Sequence, residues 1–256
     1  MSFGEMFGLK GKVAVVTGST RGIGKAIAVR MAEAGAKVVI SSRKPEACEN
    51  VANELRAAGR EVTAIPCNVS RKADVEALAA GALEAYGKVD ILVCNAAANI
   101  AMGPLGALSD EAFDKMIATN VQGVWRLCNL LIPQMAERGD GSVIVISSIA
   151  AIRGVDFAGL YGVTKAAEVA MVRNYAIEWG PRNVRVNAIL PGFVKTDFSR
   201  AIWEDDTMRE AELGRIPLGR IGEPDDIAGV AVFLASRAGT FITGQTIIAD
   251  GGMTAG

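Results

Sequence analysis

Short apolar runs alternate with longer helical patterns along the whole chain, and this alternation restricts the folds that it can adopt. The apolar runs predict strands at residues 12–17, 37–42, 61–66, 89–94, 141–147, 184–190 and 246–249. The longer patterns predict helices at residues 22–34, 45–58, 71–86, 109–137 (in two pieces), 158–179 and 224–234. Strands that alternate with helices form a mainly parallel sheet with helices on both faces, and continuous apolar strands agree with burial on both sides. We therefore expect an α/β fold with a doubly wound parallel sheet of about seven strands.

Length and charge limit the classes of function. The 256 residues contain no linker or low-complexity tract, so we expect a single domain over residues 1–256. The net charge is −1, and the 27 basic residues form no stripe that indicates nucleic acid binding. No run approaches the ~18 consecutive apolar residues of a membrane span, and the N-terminus lacks a signal-peptide pattern. These features predict a cytoplasmic protein that binds neither nucleic acid nor membranes.

The sequence contains no histidine and four scattered cysteines. The lack of histidine excludes Ser-His-Asp and Cys-His nucleophile schemes, and it excludes histidine-ligated metals. Cys48, Cys67, Cys94 and Cys128 form no C-x-x-C pair, so we interpret them as reduced, mostly buried thiols and expect no metal site. Acid–base chemistry must then be carried out by tyrosine, lysine or carboxylates.

Tyr161 and Lys165 lie four residues apart in a predicted helix, and Ser148 lies thirteen residues before Tyr161. Positions i and i+4 share one helix face, so a phenol, an ammonium and a hydroxyl can converge on one substrate oxygen. The ordinary pKa of a phenol is about 10, and a neighbouring cation favours its anion. Such a phenol can give a proton to a developing alkoxide or take one from an alcohol. The alternative is a solvated lysine above a half-buried tyrosine ring.

A glycine-rich loop joins the first predicted strand to the first predicted helix. Its residues are Gly18, Ser19, Thr20, Arg21, Gly22, Ile23 and Gly24. The three glycines let the backbone turn tightly and approach a pyrophosphate at the helix N-terminus, where free amides and the helix dipole favour anions. The spacing is G-x-x-x-G-x-G, which differs from the general G-x-G-x-x-G fingerprint. The position of this loop between strand and helix predicts a dinucleotide-binding Rossmann fold.

The end of the second predicted strand indicates the choice between NAD and NADP. An acidic residue at this point binds the ribose 2′-hydroxyl of NAD and repels a 2′-phosphate, but this chain has Ser41-Ser42-Arg43-Lys44. The Arg43 guanidinium can form a charged fork to a phosphate, and Arg21 can approach from the glycine loop. We predict a preference for NADP(H), with NAD(H) as the alternative if Arg43 and Lys44 are ordinary surface charges.

These features and several further motifs, in this order, resemble the short-chain dehydrogenase/reductase family. The motifs are the glycine loop, Asn95-Ala96-Ala97, Asn120, Ser148, the Tyr161–Lys165 pair and Pro191-Gly192. The resemblance extends from Leu9 to Gly252. It implies an oxidoreductase that transfers a hydride between a nicotinamide cofactor and a carbonyl or secondary alcohol.

The resemblance also implies a role for each matching residue. Ser148 would orient the substrate oxygen, and Tyr161 would be the acid in reduction and the base in oxidation. Lys165 would bind the nicotinamide ribose, with Asn120 holding a water of a proton relay behind it, and Asn95 would stabilise the central sheet beside the cofactor. The other implied cofactor contacts are Asn68, Val69, Ala96, Ala97, Pro191, Gly192, Val194 and Thr196.

Two positions depart from the family pattern. Ala97 stands where the family usually has glycine, and Asn68 replaces the usual aspartate after the third strand. An asparagine keeps an acceptor and adds donors, so it remains compatible with a contact to adenine. Neither change affects the proton-transfer groups.

Two subgroups of the family resemble different parts of the chain. Residues 41–44 and the segment P-R-N-V-R-V-N at residues 181–187 are similar to NADPH-dependent carbonyl reductases of retinol and dicarbonyl compounds. The C-terminal half is similar to 3-oxoacyl-carrier-protein reductases, which usually have basic residues where the carrier protein docks. In this chain Arg138 could serve as such a residue, but Ile177 lies near the position where a docking arginine would be expected. We favour a carbonyl reductase. The alternatives are the carrier-protein reductase of fatty-acid synthesis, an alcohol-oxidising enzyme and a non-catalytic dinucleotide-binding protein.

The connection at residues 196–220 is apolar for a loop. We expect it to form either a substrate lid or a helical hairpin packed on the core. The expected pocket is mostly apolar, with Arg153 and Asp156 as polar exceptions, and this predicts a hydrophobic small-molecule substrate. The alternative is that these residues belong to ordinary packing or to the surface. The apolar pocket residues are Ile100, Ala150, Ile152, Phe157, Phe198 and Trp203.

The resemblance further implies assembly into a homotetramer. The contacts would involve the helical regions at residues 109–137 and 158–179, and the last strand with the helix before it. The apolar faces of these elements suit such an interface, or they pack on the sheet of their own subunit.

Overall fold

One parallel sheet organises the computed structural model, which describes residues 2–100, 102–156 and 158–255. Its strands are β1 (Val13–Thr17), β2 (Lys37–Ser41), β3 (Val62–Ala64), β4 (Ile91–Cys94), β5 (Gly141–Ile146), β6 (Val184–Pro191) and β7 (Thr246–Ala249). Their order is β3-β2-β1-β4-β5-β6-β7, and every neighbouring pair is parallel. The order reverses between β1 and β4, so a crevice forms there at the carboxyl ends of the strands. The predicted doubly wound sheet is confirmed.

Helices cover both faces of the sheet. They are α1 (Phe3–Phe7), α2 (Gly22–Glu33), α3 (Pro45–Ala57), α4 (Lys72–Tyr86), α5 (Asp110–Met116), α6 (Gly123–Glu137), α7 (Gly159–Trp179), α8 (Arg200–Trp203), α9 (Asp206–Leu213) and α10 (Pro224–Ala235). The α2, α3 and α10 helices pack on one face, and α4, α6 and α7 pack on the other. Successive strand residues point to opposite faces, so Val15 packs with the second group of helices and Val16 with the first. Burial on both faces explains the continuous apolar strands of the sequence.

Proline and glycine set several helix boundaries. Pro45 and Pro224 occupy the first turns of α3 and α10, where the N–H that proline lacks would have no partner within the helix. Gly87 ends α4 in the left-handed conformation, with a φ of 73°, and its N–H donates to the Leu83 carbonyl at 2.7 Å. These residues are the local signals by which the sequence separates helices from strands.

The predicted strands are all present, and their ends lie within two residues of the predicted ones. Residues 109–137 contain two α-helices, α5 and α6, as predicted. A π-helical turn, Ile117–Gln122, joins α5 to α6 without a break. The α1 helix was not predicted, because its five residues bury none of their side chains and leave no periodic pattern.

The connection at residues 196–220 is largely helical. It contains a 3₁₀ turn, Asp197–Ser199, followed by α8 and α9. Elsewhere in the chain, the four cysteines are buried and unpaired, as predicted. Among the described residues, no helix is both long enough and apolar enough to span a membrane.

Candidate active site

The carboxyl ends of neighbouring strands bring the predicted site residues to one edge of the sheet. The glycine loop follows β1, Asn95 follows β4, Ser148 lies just after β5, and Pro191 ends β6. Because all the strands are parallel, these ends lie together at the crevice. Tyr161 and Lys165 are on α7, which packs against β6. The fold thus gathers segments that are far apart in the sequence.

The backbone of the glycine loop is closely packed. Gly18 and Gly22 have φ values of 66° and 53°, in the left-handed region that favours glycine. At Gly24, a Cβ would lie 2.3 Å from the Gly18 carbonyl oxygen and 2.4 Å from Asn95 Nδ2. Arg21 is the N-cap residue of α2, and its side chain makes no capping hydrogen bond to the described residues. The first amides of α2 therefore suit an anion such as a pyrophosphate.

Two polar side chains fix this loop to the neighbouring strands. The buried Ser19 hydroxyl accepts a hydrogen bond from the Ser41 N–H at 2.9 Å. Asn95 Nδ2 donates to the carbonyls of Thr17, at 2.9 Å, and Gly18, at 3.2 Å. The loop is therefore held by both β2 and the end of β4. The other predicted cofactor residues of this region are half-buried: Thr20, Ile23, Ala96 and Ala97.

The residues after β2 and β3 form the end of the crevice predicted to meet adenosine. Ser42 is half-buried, whereas Arg43 and Lys44 are exposed. The Asn68 Oδ1 accepts hydrogen bonds from both the N–H and the hydroxyl of Ser70, at 3.2 and 2.9 Å. Val69 is buried. The side-chain oxygen of Asn68 is therefore used within the turn at residues 68–70.

Arg21 connects the glycine loop to the segment at residues 196–220. Its Nη1 lies 3.3 Å from the Asp197 Oδ2, and Asp197 also pairs with Arg200. The Arg21 side chain is largely exposed. Pairs of this kind are worth little energy on an exposed surface, so Arg21 remains free to exchange Asp197 for another anion.

Tyr161 and Lys165 lie together on α7. The Lys165 Nζ is 5.4 Å from the centroid of the Tyr161 ring and donates to the Ile146 carbonyl at 2.9 Å. The Lys165 residue is only 1% exposed. Burial raises the pKa of Tyr161, although the Lys165 charge and the Ser148 hydroxyl both favour the phenolate. The Ser148 hydroxyl also accepts from the Ala150 N–H at 3.1 Å, which fixes its position after β5.

Asn120 is fully buried in the π-helical turn. Its Oδ1 accepts from the Ala98 N–H at 2.8 Å, and its Nδ2 donates to the Ala98 carbonyl at 2.9 Å and the Thr164 hydroxyl at 3.0 Å. Thr164 immediately precedes Lys165. The Asn120 side chain therefore joins the segment after β4 to the part of α7 that carries Lys165.

Glu168 is a residue of this site that the sequence reasoning missed. Its carboxylate is buried, and its two oxygens lie 3.0 and 3.1 Å from the Lys165 Nζ. Burial raises the pKa of Glu168 to about 7, although the Lys165 charge and the hydrogen bonds from Lys165 lower it. The spacing of three residues from Lys165 is the signal in the sequence, because positions i and i+3 share a helix face.

The end of β6 forms the opposite side of the crevice. Pro191 and Val194 are buried, and Thr196 is half-buried. A Cβ at Gly192 would lie 2.6 Å from the Asp250 Cβ, so no larger residue fits at this position without a shift of the backbone. The backbone after β6 thus lies against the segment that follows β7.

The segment at residues 196–220 reaches the tyrosine of the site. The Phe198 ring centroid is 5.8 Å from that of Tyr161. The Trp203 Nε1 donates to the Thr196 carbonyl at 2.8 Å, and the Lys195 Nζ lies 5.2 Å from the centroid of the Trp203 ring. These contacts fix the start of the segment beside Tyr161.

The remaining residues predicted to flank the substrate differ in burial. Ala150 is buried, and Phe157 lies outside the described residues. The others are exposed: Ile100, Ile152, Arg153 and Asp156. Among the described residues, no group of three or more cysteine or acidic side chains is placed to hold a metal ion.

The arrangement fits a nicotinamide dinucleotide. Close-packed glycines leave the first amides of α2 available at one end of the crevice, and a phenol with a neighbouring ammonium lies at the other. The free amides can bind the phosphates of an anionic nucleotide, and the phenol can transfer a proton to an oxygen.

Comparison with proteins of known sequence gives close relatives. A family model described as enoyl-(acyl carrier protein) reductase matches residues 18–254. The dehydrogenase/reductase SDR family member 4 of Oryctolagus cuniculus is 42% identical over 244 residues, which are 95% of this chain and 94% of the relative. The Homo sapiens protein of the same description is 41% identical over 244 residues, which are 95% of this chain and 88% of the relative.

Solved structures give a concordant result. A gluconate 5-dehydrogenase from Burkholderia cenocepacia, in complex with NADP and tartrate, has a TM-score of 0.96 and 32% identity and covers 100% of both chains. A 7α-hydroxysteroid dehydrogenase complexed with NADH and 7-oxo glycochenodeoxycholic acid has a TM-score of 0.94 and 35% identity and covers 98% of both chains. Sequence, fold and site geometry agree, and the chain belongs to the short-chain dehydrogenase/reductase family.

Proposed function

We propose that this protein is an NADP(H)-dependent oxidoreductase that transfers a hydride between the nicotinamide and a hydrophobic carbonyl or secondary-alcohol substrate. The observation that carries the proposal is the Tyr161–Lys165 pair, with the Lys165 ammonium 5.4 Å from the tyrosine ring centroid. Dehydrogenase/reductase chemistry agrees with the family of the chain.

The side chains of the site divide the work of proton transfer. The Ser148 hydroxyl holds the substrate oxygen, and the Tyr161 phenol gives that oxygen a proton in reduction or takes one from it in oxidation. The Lys165 charge stabilises the phenolate, because an opposite charge nearby favours the ionised form. Asn120 holds the chain beside Lys165 and anchors a water that resupplies the proton. When bound, the nicotinamide supplies or accepts the hydride.

The cofactor would be held along the whole crevice. Its pyrophosphate would lie on the glycine loop, residues 18–24, and its adenosine beside residues 42–44 and Asn68-Val69. Residues 95–97 would border its centre, and its nicotinamide would lie against Pro191, Gly192, Val194 and Thr196. The uncapped amides of α2 and the close-packed glycines support this placement.

Arg43 and Lys44 support the preference for NADP(H). Both are exposed just beyond the end of β2, and residues 42–44 contain no carboxylate that would repel a 2′-phosphate. The two structural relatives hold different cofactors, NADP in the gluconate 5-dehydrogenase and NADH in the hydroxysteroid dehydrogenase. Both cofactors therefore occur in relatives of this chain, and the basic residues after β2 favour NADP(H) here.

The aromatic surface beside Tyr161 supports a hydrophobic substrate. Phe198 lies next to the catalytic ring, and Trp203 fixes the start of the same segment. We propose that residues 196–220 form a lid that closes over the substrate. The direction of the reaction in the cell depends on cofactor ratios, so oxidation of an alcohol belongs to the same proposal.

A carrier-protein substrate has less support. Arg138 donates to the Gln134 and Val89 carbonyls, both at 2.7 Å, and lies 3.4 Å from Asp90. Its guanidinium is therefore engaged within the subunit. On α7, Ile177 lies near the position where a docking arginine would be expected, and it is 79% exposed. A small-molecule carbonyl compound fits the proposed site and requires no docking surface for a carrier protein.

We also propose a cytoplasmic homotetramer. Four unpaired buried cysteines agree with a reducing compartment. Apolar side chains remain exposed on α6 and α7, including Trp125 and Ile177, and on β7, where Ile248 is exposed. We infer that these exposed apolar side chains belong to an interaction surface between subunits.

The proposal is tested by replacing the phenol. Tyr161→Phe should lower turnover by about 10²–10⁴-fold, as expected for loss of a general acid, while cofactor binding is retained. Turnover is measured by nicotinamide absorbance over a panel of ketones and secondary alcohols with NADPH and NADH. Tyr175→Phe is the matched control, because Tyr175 lies on the same helix and its hydroxyl is bonded to Asn129 at 2.9 Å, away from Ser148.

Near-normal turnover by Tyr161→Phe would exclude the assigned role. Binding of a cofactor without turnover of any compound by the wild-type protein would instead favour the non-catalytic alternative. Loss of activity in both tyrosine variants would indicate a general loss of structure, which circular dichroism would detect.

A further inference from the structure

The Lys165 ammonium has a buried partner that the proton-transfer scheme does not use. Both oxygens of Glu168 lie within 3.1 Å of the Lys165 Nζ, and the two side chains are each 2% exposed. The ammonium also donates to the Ile146 carbonyl at 2.9 Å. A carboxylate in this position balances the charge that Lys165 otherwise directs at Tyr161.

We propose that Glu168 is a positioning residue of this site, which holds the Lys165 ammonium at the back of the crevice and determines the pH range in which the Tyr161–Lys165 pair exchanges its proton. This role rests on the proposed function, in which Tyr161 transfers the proton. Glu168 acts through Lys165 and needs no contact with the substrate.

The charge balance of the buried groups gives the direction of the effect. With Glu168 ionised, the phenol, ammonium and carboxylate together are neutral, and loss of a proton leaves an uncompensated negative charge in a buried site. With glutamine at this position, the same groups begin with one positive charge, and loss of a proton leaves them neutral. Because uncompensated buried charge is costly, the glutamine variant should lose this proton at lower pH.

The same reasoning holds whichever of the two groups gives up the proton. Tyr161 and Lys165 interact closely, so the apparent pKa belongs to the pair rather than to either residue. Burial raises the pKa of Tyr161, Lys165 opposes this, and the Glu168 charge raises it further. Removal of that charge therefore lowers the apparent pKa of the pair.

The other titratable groups around the pair do not supply this charge. Cys94, at the end of β4, has a pKa raised well above its ordinary value by a hydrogen bond with Cys128 of α6 and by burial. It therefore remains a neutral thiol at neutral pH. Just after β5, the Ser147 hydroxyl donates to the Lys165 carbonyl at 3.0 Å and carries no charge. Among the residues that the structure describes, Glu168 is thus the carboxylate that contacts Lys165.

The test compares pH profiles of kcat/KM for alcohol oxidation. For Glu168→Gln, the rise of the profile should move to lower pH by about one unit or more. This shift is expected when a negative charge close to the phenolate is removed. The two profiles should separate above pH 7, because Glu168 has a pKa of about 7 and is ionised above it. Coinciding profiles from two active proteins would overturn the proposal.

Two further variants separate charge from packing. Glu168→Asp keeps the carboxylate but shortens its reach, so its profile should move in the same direction as that of Glu168→Gln and by a smaller amount. A shift as large as that of glutamine, or none at all, would contradict a role for the charge at this distance. Glu178→Gln removes a charge from the exposed side of the same helix and should leave the profile unchanged. If Glu168→Gln does not fold, the aspartate variant alone decides the question.

A measurement without turnover distinguishes failure of this proposal from failure of the proposed function. The absorbance of the Tyr161 phenolate is obtained in the cofactor-free protein as the difference between each protein and its Tyr161→Phe counterpart. Phenolate that forms at lower pH in Glu168→Gln than in the wild type supports the role of Glu168. Formation at the same or higher pH overturns it, whether or not the protein turns over a carbonyl compound.

Discussion

Arg43 is the residue on which the proposed choice between NADP(H) and NAD(H) depends. Arg43 is exposed and lies two residues after the end of β2, where a ribose phosphate is expected. Arg43→Asp removes a charged hydrogen bond worth about 1.5–3 kcal/mol, so the ratio of kcat/KM for NADPH and NADH should fall by roughly tenfold to over a hundredfold. Initial rates with each cofactor give this ratio.

The control for Arg43→Asp is a charge change near the amino ends of the strands. Arg182 is exposed just before β6 begins, and Arg182→Asp alters the net charge by the same amount. This variant should leave the cofactor ratio as it is in the wild type. An unchanged ratio for Arg43→Asp would reject the assignment of the 2′-phosphate site.

The Tyr161–Lys165 pair and Glu168 show what a sequence predicts at the level of single residues. The i, i+4 spacing of the pair predicts a shared helix face, and that geometry is found on α7. Glu168 escaped prediction because charged side chains are ordinarily assigned to solvent. Only the packing of α7 against the sheet shows that Thr164, Lys165 and Glu168 lie on its buried side.

The π-helical turn between α5 and α6 is an element that sequence patterns do not specify. Its local sequence, Ile117–Gln122, has no glycine or proline that would mark an irregularity. Its stability comes from distant contacts, because Asn120 bonds to the Ala98 backbone and to Thr164. Such turns are frequent at functional sites, and this one brings Asn120 towards Lys165.

The proposed lid predicts an effect on substrate binding. Phe198 is 57% exposed, and its ring centroid lies 5.8 Å from that of Tyr161. Phe198→Ala should raise KM for a hydrophobic ketone by about tenfold and change kcat much less, because the lost contact is made equally in the ground state and the transition state. Steady-state kinetics with one substrate from the active panel measure both constants.

Met208 supplies a matched control within the same segment. It is exposed on α9, and as a methionine it cannot form a ring–ring contact with Tyr161. Met208→Ala should leave KM unchanged if the effect of Phe198 is due to its place beside the tyrosine. Equal KM values for wild type and Phe198→Ala would remove Phe198 from the substrate surface and would favour the alternative of a helical hairpin.

At the scale of the molecule, the alternation of strands and helices predicts the fold class but not the strand order. Continuous apolar strands such as Val13–Thr17 and Ile91–Cys94 carry no mark of which strand pairs with which. The order becomes clear only when β4 pairs with β1 and the chain reverses its direction across the sheet. That reversal creates the crevice at which residues from the whole chain meet.

The proposed tetramer is tested by placing charges on the outer helices. Trp125 on α6 is 52% exposed and Ile177 on α7 is 79% exposed, although both are large apolar residues. Light scattering should give the wild type a mass of about four times 26.7 kDa. The double variant Trp125→Glu/Ile177→Glu should give a smaller mass, because carboxylates are costly to bury in an interface without partners. Met208→Glu places a charge on a residue of similar exposure, 54%, outside these helices, and should keep the wild-type mass. A monomeric wild type, or a double variant that remains tetrameric, would show that α6 and α7 do not form the interface.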